Sequence, residues 1–183
     1  MLQETSGGGN TNGAAARKDE ILKGTTVMRD AATTGGDRAN TESVTGLLND
    51  ALAEEVICIL RYKRHYFRTA GFSARRVKAK FLQHVTEERA HANQLVARIV
   101  QLGGKPDLSP ERLLIRNHAE QIEGESLAEM ITVDLLDERI AIASYRAMIA
   151  AIGPDDPTTR QVLERILAQE EAHAESLAGL LRE

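Results

Sequence analysis

The chain has one cysteine, Cys58, and no tryptophan, and aromatic residues make up only 3% of it. A lone cysteine excludes an internal disulfide framework, a Cys-x-x-Cys zinc ribbon and a rubredoxin-type iron site. No apolar run reaches the roughly 18 residues of a membrane span. The opening Met1-Leu2-Gln3-Glu4-Thr5 lacks the basic start and apolar stretch of a secretory signal, so a cytoplasmic location is expected. Positive charge is not in excess either: 23 Lys and Arg against 27 Asp and Glu give a net charge of −4. That balance argues against a protein built to hold nucleic acid or a membrane surface. The 183 residues suffice for one domain with a sizeable core and are short for two.

Residues 1–40 hold Gly7-Gly8-Gly9, Asn12-Gly13 and Thr33-Thr34-Gly35-Gly36, too little apolar surface to offset the entropy of ordering them. A flexible N-terminal tail is expected there. Its basic residues (Arg17, Lys18, Lys23, Arg29, Arg38) are matched in number by acidic ones (Glu4, Asp19, Glu20, Asp30, Asp37). Counterion release needs a net positive excess, so DNA binding through the tail is not expected.

Residues 41–183 read as helical. Leu48, Leu52, Glu55, Ile59, Tyr62 and Tyr66 form one stripe, broken at Ala70-Gly71-Phe72-Ser73, with Ser73 as the expected N-cap of a second helix. Val77, Phe81, His84, Glu88, His91, Leu95, Ile99 and Leu102 continue to Gly103-Gly104. A short helix is expected near Glu111–His118. Ser126-x-x-Glu129 is a capping box for a third helix carrying Ile131, Leu135, Glu138, Ile142, Tyr145, Ile149 and Ile152. Gly153-Pro154-Asp155-Asp156-Pro157 stops and restarts the chain, with Pro157 suited to a first helical position. The fourth stripe runs through Leu163, Ile166, Glu170, His173, Leu177 and Leu180. Short first and third connections make antiparallel pairs, and about 22 residues in the second reach about 70 Å, enough to run a helix length. The expected fold is an all-α four-helix bundle of two hairpins joined by a long crossover.

The most informative pattern is a duplication. Glu55, Tyr62 and Glu88-Arg89-Ala90-His91 recur as Glu138, Tyr145 and Glu170-Glu171-Ala172-His173. In each set the lone Glu leads the Tyr by 7 residues, and it leads the Glu-x-x-His by 33 residues in the first and 32 in the second. Seven residues return a helix to nearly the same face, and three keep Glu and His on one face. Each Glu lies within an apolar stripe. An isolated Glu there reads as a solvated flank residue, but four together read as buried carboxylates, tolerable when they hold metal.

One Glu from each of two helices and Glu-x-x-His from each of the other two is the ligand pattern of ferritin-like di-iron proteins. From Leu48 to Leu180 the chain resembles the bacterioferritins and their relatives, through Glu55-Val56-Ile57-Cys58-Ile59-Leu60-Arg61-Tyr62 and the two Glu-x-x-His segments. The resemblance implies a ferritin-like bundle with a dinuclear iron centre. In it Glu88 and Glu170 bridge, Glu55 and Glu138 are terminal ligands, and His91 and His173 complete one metal each. It implies a ferroxidase that oxidises Fe(II) with O2 or H2O2 for iron storage or detoxification. Tyr62 matches a tyrosine able to supply an electron, with Tyr145 its counterpart, although core rings with satisfied hydroxyls fit both equally well. Haem is not expected, because Arg89 stands where the family's haem-ligating methionine would be. Lacking residues for a fifth helix after His173, the chain is expected to form a homo-oligomer of 12 subunits rather than 24, with a dimer as the fallback.

Two alternatives compete: a di-iron or di-manganese peroxide scavenger, disfavoured by Ala141 in place of an extra glutamate, and a starvation-type DNA-protecting shell. Asp134, one turn before Glu138, is expected to orient a ligating imidazole. His84 reads as a hydrogen-bonded core histidine or a transit site for iron, and Cys58 as a small packed residue. Glu87, Glu164, Glu171 and Glu175 read as solvated. Lys63-Arg64-His65 and the run Arg75–Lys80 read as solvated faces or subunit contacts. His65 and His118 show no partner pattern.

Overall fold

The computed structural model describes residues 37–71, 74–111, 113 and 124–182. Among the described residues four long helices make up the fold: α1 (Asp37–Arg68), α2 (Arg75–Gln101), α3 (Leu127–Ile152) and α4 (Pro157–Leu180). Residues 1–36 of the expected tail lie outside the described residues. Its last residues are already helical, since α1 begins at Asp37 rather than Thr41. Ser73 also lies outside, and the cap position of α2 is Ala74, which offers no side-chain hydrogen bond. Of the expected short helix, Glu111 and Leu113 are helical and the remainder is not described.

The helix boundaries follow local chemistry. Ser126 Oγ accepts from Glu129 N at 3.2 Å while the Glu129 carboxylate accepts from Ser126 N at 2.9 Å, so the capping box forms. Pro157 occupies the first turn of α4, where its missing N–H costs nothing. α2 ends with Gly104 N donating to Ile99 O and Gly103 N to Val100 O, both at 2.9 Å. Gly103 takes φ 76°, a conformation a side chain would resist.

α1 packs chiefly on α2 and α3 chiefly on α4, with lesser contacts joining α1 to α3 and α2 to α4. Across the α1–α3 seam Tyr62 meets Glu138 and Tyr145 meets Glu55, so those helices are antiparallel. Across α2–α4, His91 meets Glu170 and His173 meets Glu88, again antiparallel. α2 and α3 are therefore parallel, and the connection between them has to traverse the bundle. This is why the second connection alone is long, and the two hairpins become halves of a pseudo-twofold arrangement.

Two apolar clusters fill the interior. One contains Leu48, Leu52, Leu95, Ile99, Met148, Leu163 and Ile166. The other contains Val77, Phe81, Ile131, Leu135 and Leu177. Polar side chains occupy the level between them.

Candidate metal centre

All six members of the duplicated set converge in that middle level. Glu55, Glu88, Glu138 and Glu170 are each 3% exposed or less, and His91 and His173 no more than 4%. His91 Nδ1 lies 2.8 Å from Glu170 Oε1, 3.0 Å from Glu88 Oε2 and 3.4 Å from Glu55 Oε2. His173 Nδ1 lies 3.1 Å from Glu88 Oε1, 3.4 Å from Glu170 Oε2 and 3.7 Å from Glu138 Oε1. Glu88 and Glu170 thus turn one oxygen to each imidazole, while Glu55 faces only His91 and Glu138 only His173. Two four-residue donor groups result, Glu55–Glu88–His91–Glu170 and Glu88–Glu138–Glu170–His173, which share two carboxylates.

The outer faces of the rings are held from behind. His91 Nε2 is 3.0 Å from Gln169 Oε1, and His173 Nε2 is 2.9 Å from Glu87 Oε2. An oxygen acceptor at Nε2 keeps a proton there, so a ring that gives up its other proton would present the Nδ1 lone pair among the carboxylates, the tautomer a metal ligand needs. Glu55 Oε2, Glu88 Oε1, Glu170 Oε1 and His173 Nδ1 are buried and meet one another or His91 only at ion-pair distance, without a well-directed hydrogen bond. Orphaned buried donors and acceptors are costly, and two divalent ions, one on the His91 side and one on the His173 side, would satisfy all four. The oxygen and imidazole donor set fits iron.

The tyrosines cross between repeats. Tyr62 Oη donates to Glu138 Oε1 and Tyr145 Oη to Glu55 Oε1, so each ring anchors the lone carboxylate of the other half. Burial, then the neighbouring charge of Glu138 or Glu55, pushes both phenols well above their ordinary range.

The metal-free site balances its own charge. Burial, opposed by the His91 hydrogen bond and reinforced by Glu88 and Glu170, holds the Glu55 carboxyl well above its usual range. Burial and Glu170 do the same for Glu138. Burial also disfavours charge on Glu88 and Glu170, yet hydrogen bonds from His173 and His91 hold both carboxyls below the usual range. Burial works against charge on the imidazoles, but their carboxylate partners win: His91 is raised and His173 is pushed up to about 10. Two carboxyls that favour the charged form therefore face two imidazoles that favour theirs, while the outer pair, Glu55 and Glu138, hold their protons more tightly than an ordinary carboxyl.

Several neighbours differ from expectation. Asp134 is buried, but its partner is His65 at 2.9 Å rather than a ligating imidazole. His65, expected on a solvated face, is fully buried and packs on Phe81. Glu87 is not a free solvated flank, since it backs His173. Lys78 of the basic run lies over the Tyr66 ring at 4.7 Å. His84 is no hydrogen-bonded core histidine at Nδ1, which is buried without a partner. Its ring stacks on His173 at 4.2 Å and meets the edge of Tyr62 at 4.9 Å. Burial and the His173 charge lower His84 to about 3. Cys58 is half-buried beside Arg61, Asp137 and Glu138 around a gap too small for water. Glu171, by contrast, is exposed as expected, and pairs with Arg146 at 2.6 Å.

Comparison with known proteins agrees with this architecture. The ferritin-like domain of the Ferritin family matches residues 45–183. A bacterioferritin from Brucella melitensis is 32% identical over 136 residues, covering 71% of this chain and 77% of the relative. A nutrient stress-induced DNA-binding protein from Nostoc sp. is 31% identical over 148 residues, covering 79% of this chain and 80% of that one. Among solved structures, the dodecameric thioferritin of Bacteroides fragilis, a bacterioferritin-related protein, superposes with a TM-score of 0.73 at 24% identity. That match covers 88% of this chain and 93% of the other. The chain belongs to the ferritin family.

Proposed function

We propose that this protein is a ferroxidase, oxidising Fe(II) to Fe(III) with O2 or H2O2 at an intra-subunit dinuclear site for iron storage and detoxification. The observation that carries the reading is the sharing of Glu88 and Glu170 between His91 and His173. Two donor groups with common carboxylates suit two adjacent ions with open positions for an oxidant. Glu88 and Glu170 bridge, Glu55 with His91 completes one iron position, and Glu138 with His173 completes the other. Each Fe(II) supplies one electron, so a pair reduces H2O2 to water or O2 to H2O2. Tyr62 and Tyr145 hold the terminal carboxylates and are the nearest phenols able to supply a further electron.

Binding is a proton exchange as well as a metal exchange. Two divalent ions bring four positive charges, matched by the loss of protons from His91, His173, Glu55 and Glu138. Loading metal-free protein anaerobically at neutral pH releases two protons per ion pair from the imidazoles, and up to four where the outer carboxyls are still protonated. Affinity rises with pH as proton competition weakens, the share from His173 ending at about 10 and that from His91 persisting beyond it. A pH-stat titration checks this, and binding without proton release would contradict it.

The functional test is aerobic Fe(II) oxidation with sizing of the product. Purified protein is expected to oxidise Fe(II) faster than buffer and to retain ferric product in a large soluble particle. Rates equal to the blank would sink the proposal. The particle is proposed as a cytoplasmic homo-oligomer, of 12 subunits before 24, with a dimer as the smallest form. Exposed Leu60 (59%) and Phe67 (73%), seven residues apart on α1, support self-association. Among the described residues no helix is long and apolar enough to cross a membrane.

A DNA-protecting shell is the second reading, favoured by the name of the Nostoc relative. The complete internal donor set and the net charge of −4 weigh against it. A gel-shift assay at physiological salt separates the two.

A further inference from the structure

The two halves of the site match ligand for ligand, but their surroundings do not. Numbering outward from the shared carboxylates, Glu87 precedes Glu88 where Gln169 precedes Glu170, and His84 stands four residues before Glu88 where Ile166 stands before Glu170. Each of these differences falls at the His173 end. His173 Nε2 is backed by the Glu87 carboxylate at 2.9 Å, whereas His91 Nε2 is backed by the neutral amide oxygen of Gln169 at 3.0 Å. His84, 1% exposed and with Nδ1 unpartnered, stacks on His173 and belongs to a possible donor group with Glu138 and His173. At the other end Ile166 is fully buried in an apolar cluster and offers no donor.

We infer that the two metal positions are unequal: the one defined by Glu138 and His173 binds first and more tightly, and Glu87 and His84 are the residues that make it so. This rests on the dinuclear reading of the site. A carboxylate accepting the Nε2 proton makes the imidazole a stronger donor at Nδ1, because negative charge behind the ring offsets the charge it gives to the metal. An amide oxygen accepts the same proton without that charge. His84 adds a neutral nitrogen donor near the same position, where its counterpart is hydrocarbon. Its present stacking on His173 sets it as a neighbour to the ion rather than an obligatory ligand. Glu87 and His84 are thus positioning residues: Glu87 acts through His173, and His84 through the space beside it.

The order of filling follows. The first ion enters at Glu138 and His173, takes one oxygen each from Glu88 and Glu170, and leaves their other oxygens turned toward His91. The second position is then completed by Glu55 and His91. A chain loaded with one equivalent would hold a single ion at the His173 end.

The test is anaerobic titration of the metal-free full-length protein with Co(II), followed by calorimetry and the visible spectrum. The wild type is expected to bind two ions per chain in two resolved steps, differing about tenfold or more in Kd. Glu87→Gln should weaken the first step about tenfold and leave the second in place, bringing the two together. Gln169→Glu should tighten the second step by a similar factor and leave the first unchanged. His84→Ile, which copies the opposite half, should weaken the first step and change its Co(II) spectrum. Glu138→Gln should remove the tight step and Glu55→Gln the weak one. Two ions bound with equal affinity in the wild type, or an effect of Glu87→Gln on the weak step, overturns the inference while leaving the dinuclear site standing. Failure to bind two Co(II) ions at all overturns both. Because Gln169→Glu is a gain of affinity at an exposed position, misfolding cannot imitate the expected result.

Discussion

Glu88→Ala and Glu170→Ala are each expected to lower aerobic Fe(II) oxidation to the buffer rate, with the far-UV circular dichroism of the helices unchanged. Each of these carboxylates turns one oxygen toward His91 and the other toward His173, so one truncation strips a donor from both donor groups. Glu55→Ala and Glu138→Ala remove a donor from one group only, and a partial, slower reaction is expected of them. Glu88→Gln and Glu170→Gln control for shape, since they keep volume but lose charge. The helices persist because the apolar clusters on either side of the polar level do not depend on it. The loss of a counter-charge also has an outlet: His91 and His173 shed protons more readily once a carboxylate partner is gone. Stopped-flow oxidation traces decide the matter. Fast phases surviving in both Ala variants would rule the proposed site out.

What could be read from the sequence was what repeats or keeps a helical period. On α2, Val77, Phe81, His84, Glu88, His91, Leu95 and Ile99 are all buried, as the stripe requires. The burial of the duplicated Glu and His residues was legible because two copies with matching spacing cannot all be surface accidents. What stayed hidden depends on contacts between helices. Ideal steps of 100° put Tyr66 nearer than His65 to the face of Glu55. Yet His65 is the buried one, drawn in by Asp134 of α3 and Phe81 of α2. Asp134 was expected to orient a ligating imidazole, but it holds His65 instead, a pairing between α3 and α1 that no local pattern shows. Glu87 sits 100° from the buried stripe and reads as a flank residue until α4 brings His173 within 2.9 Å of it. The cross-pairing of Tyr62 with Glu138 and Tyr145 with Glu55 follows only from the antiparallel register of α1 and α3.

Asp156→Ala is expected to lower stability by about 2–4 kcal/mol, a large loss for a polar side chain remote from the donor set. Asp156 has two functions at once. As N-cap of α4 its Oδ1 accepts from Thr159 N at 2.9 Å, satisfying a donor that the first turn leaves open. It also receives Arg98 Nη2 of α2 at 2.8 and 2.9 Å on its two oxygens, while Arg98 Nε reaches Thr159 Oγ1 at 2.6 Å. Thr159 is fully buried, so the cluster clasps the start of α4 to the end of α2. Alanine removes the cap, worth roughly 1 kcal/mol, and leaves a largely buried guanidinium without its counter-ion. For a chain of this length the melting midpoint falls by about 4–16 °C, read at fixed protein concentration because assembly would otherwise shift it. Asp156→Asn keeps a good cap and loses the charge, so it should fall between the two. Although burial alone would raise it, the Thr159 and Arg98 hydrogen bonds hold the Asp156 carboxyl below its ordinary range. Its contribution is therefore complete above the unfolded value of about 4 and lost as pH falls through the folded one. The wild-type advantage should hold from neutral pH to about 4 and shrink in stronger acid. An unchanged midpoint for Asp156→Ala at neutral pH would mean that α4 is held by its apolar face alone.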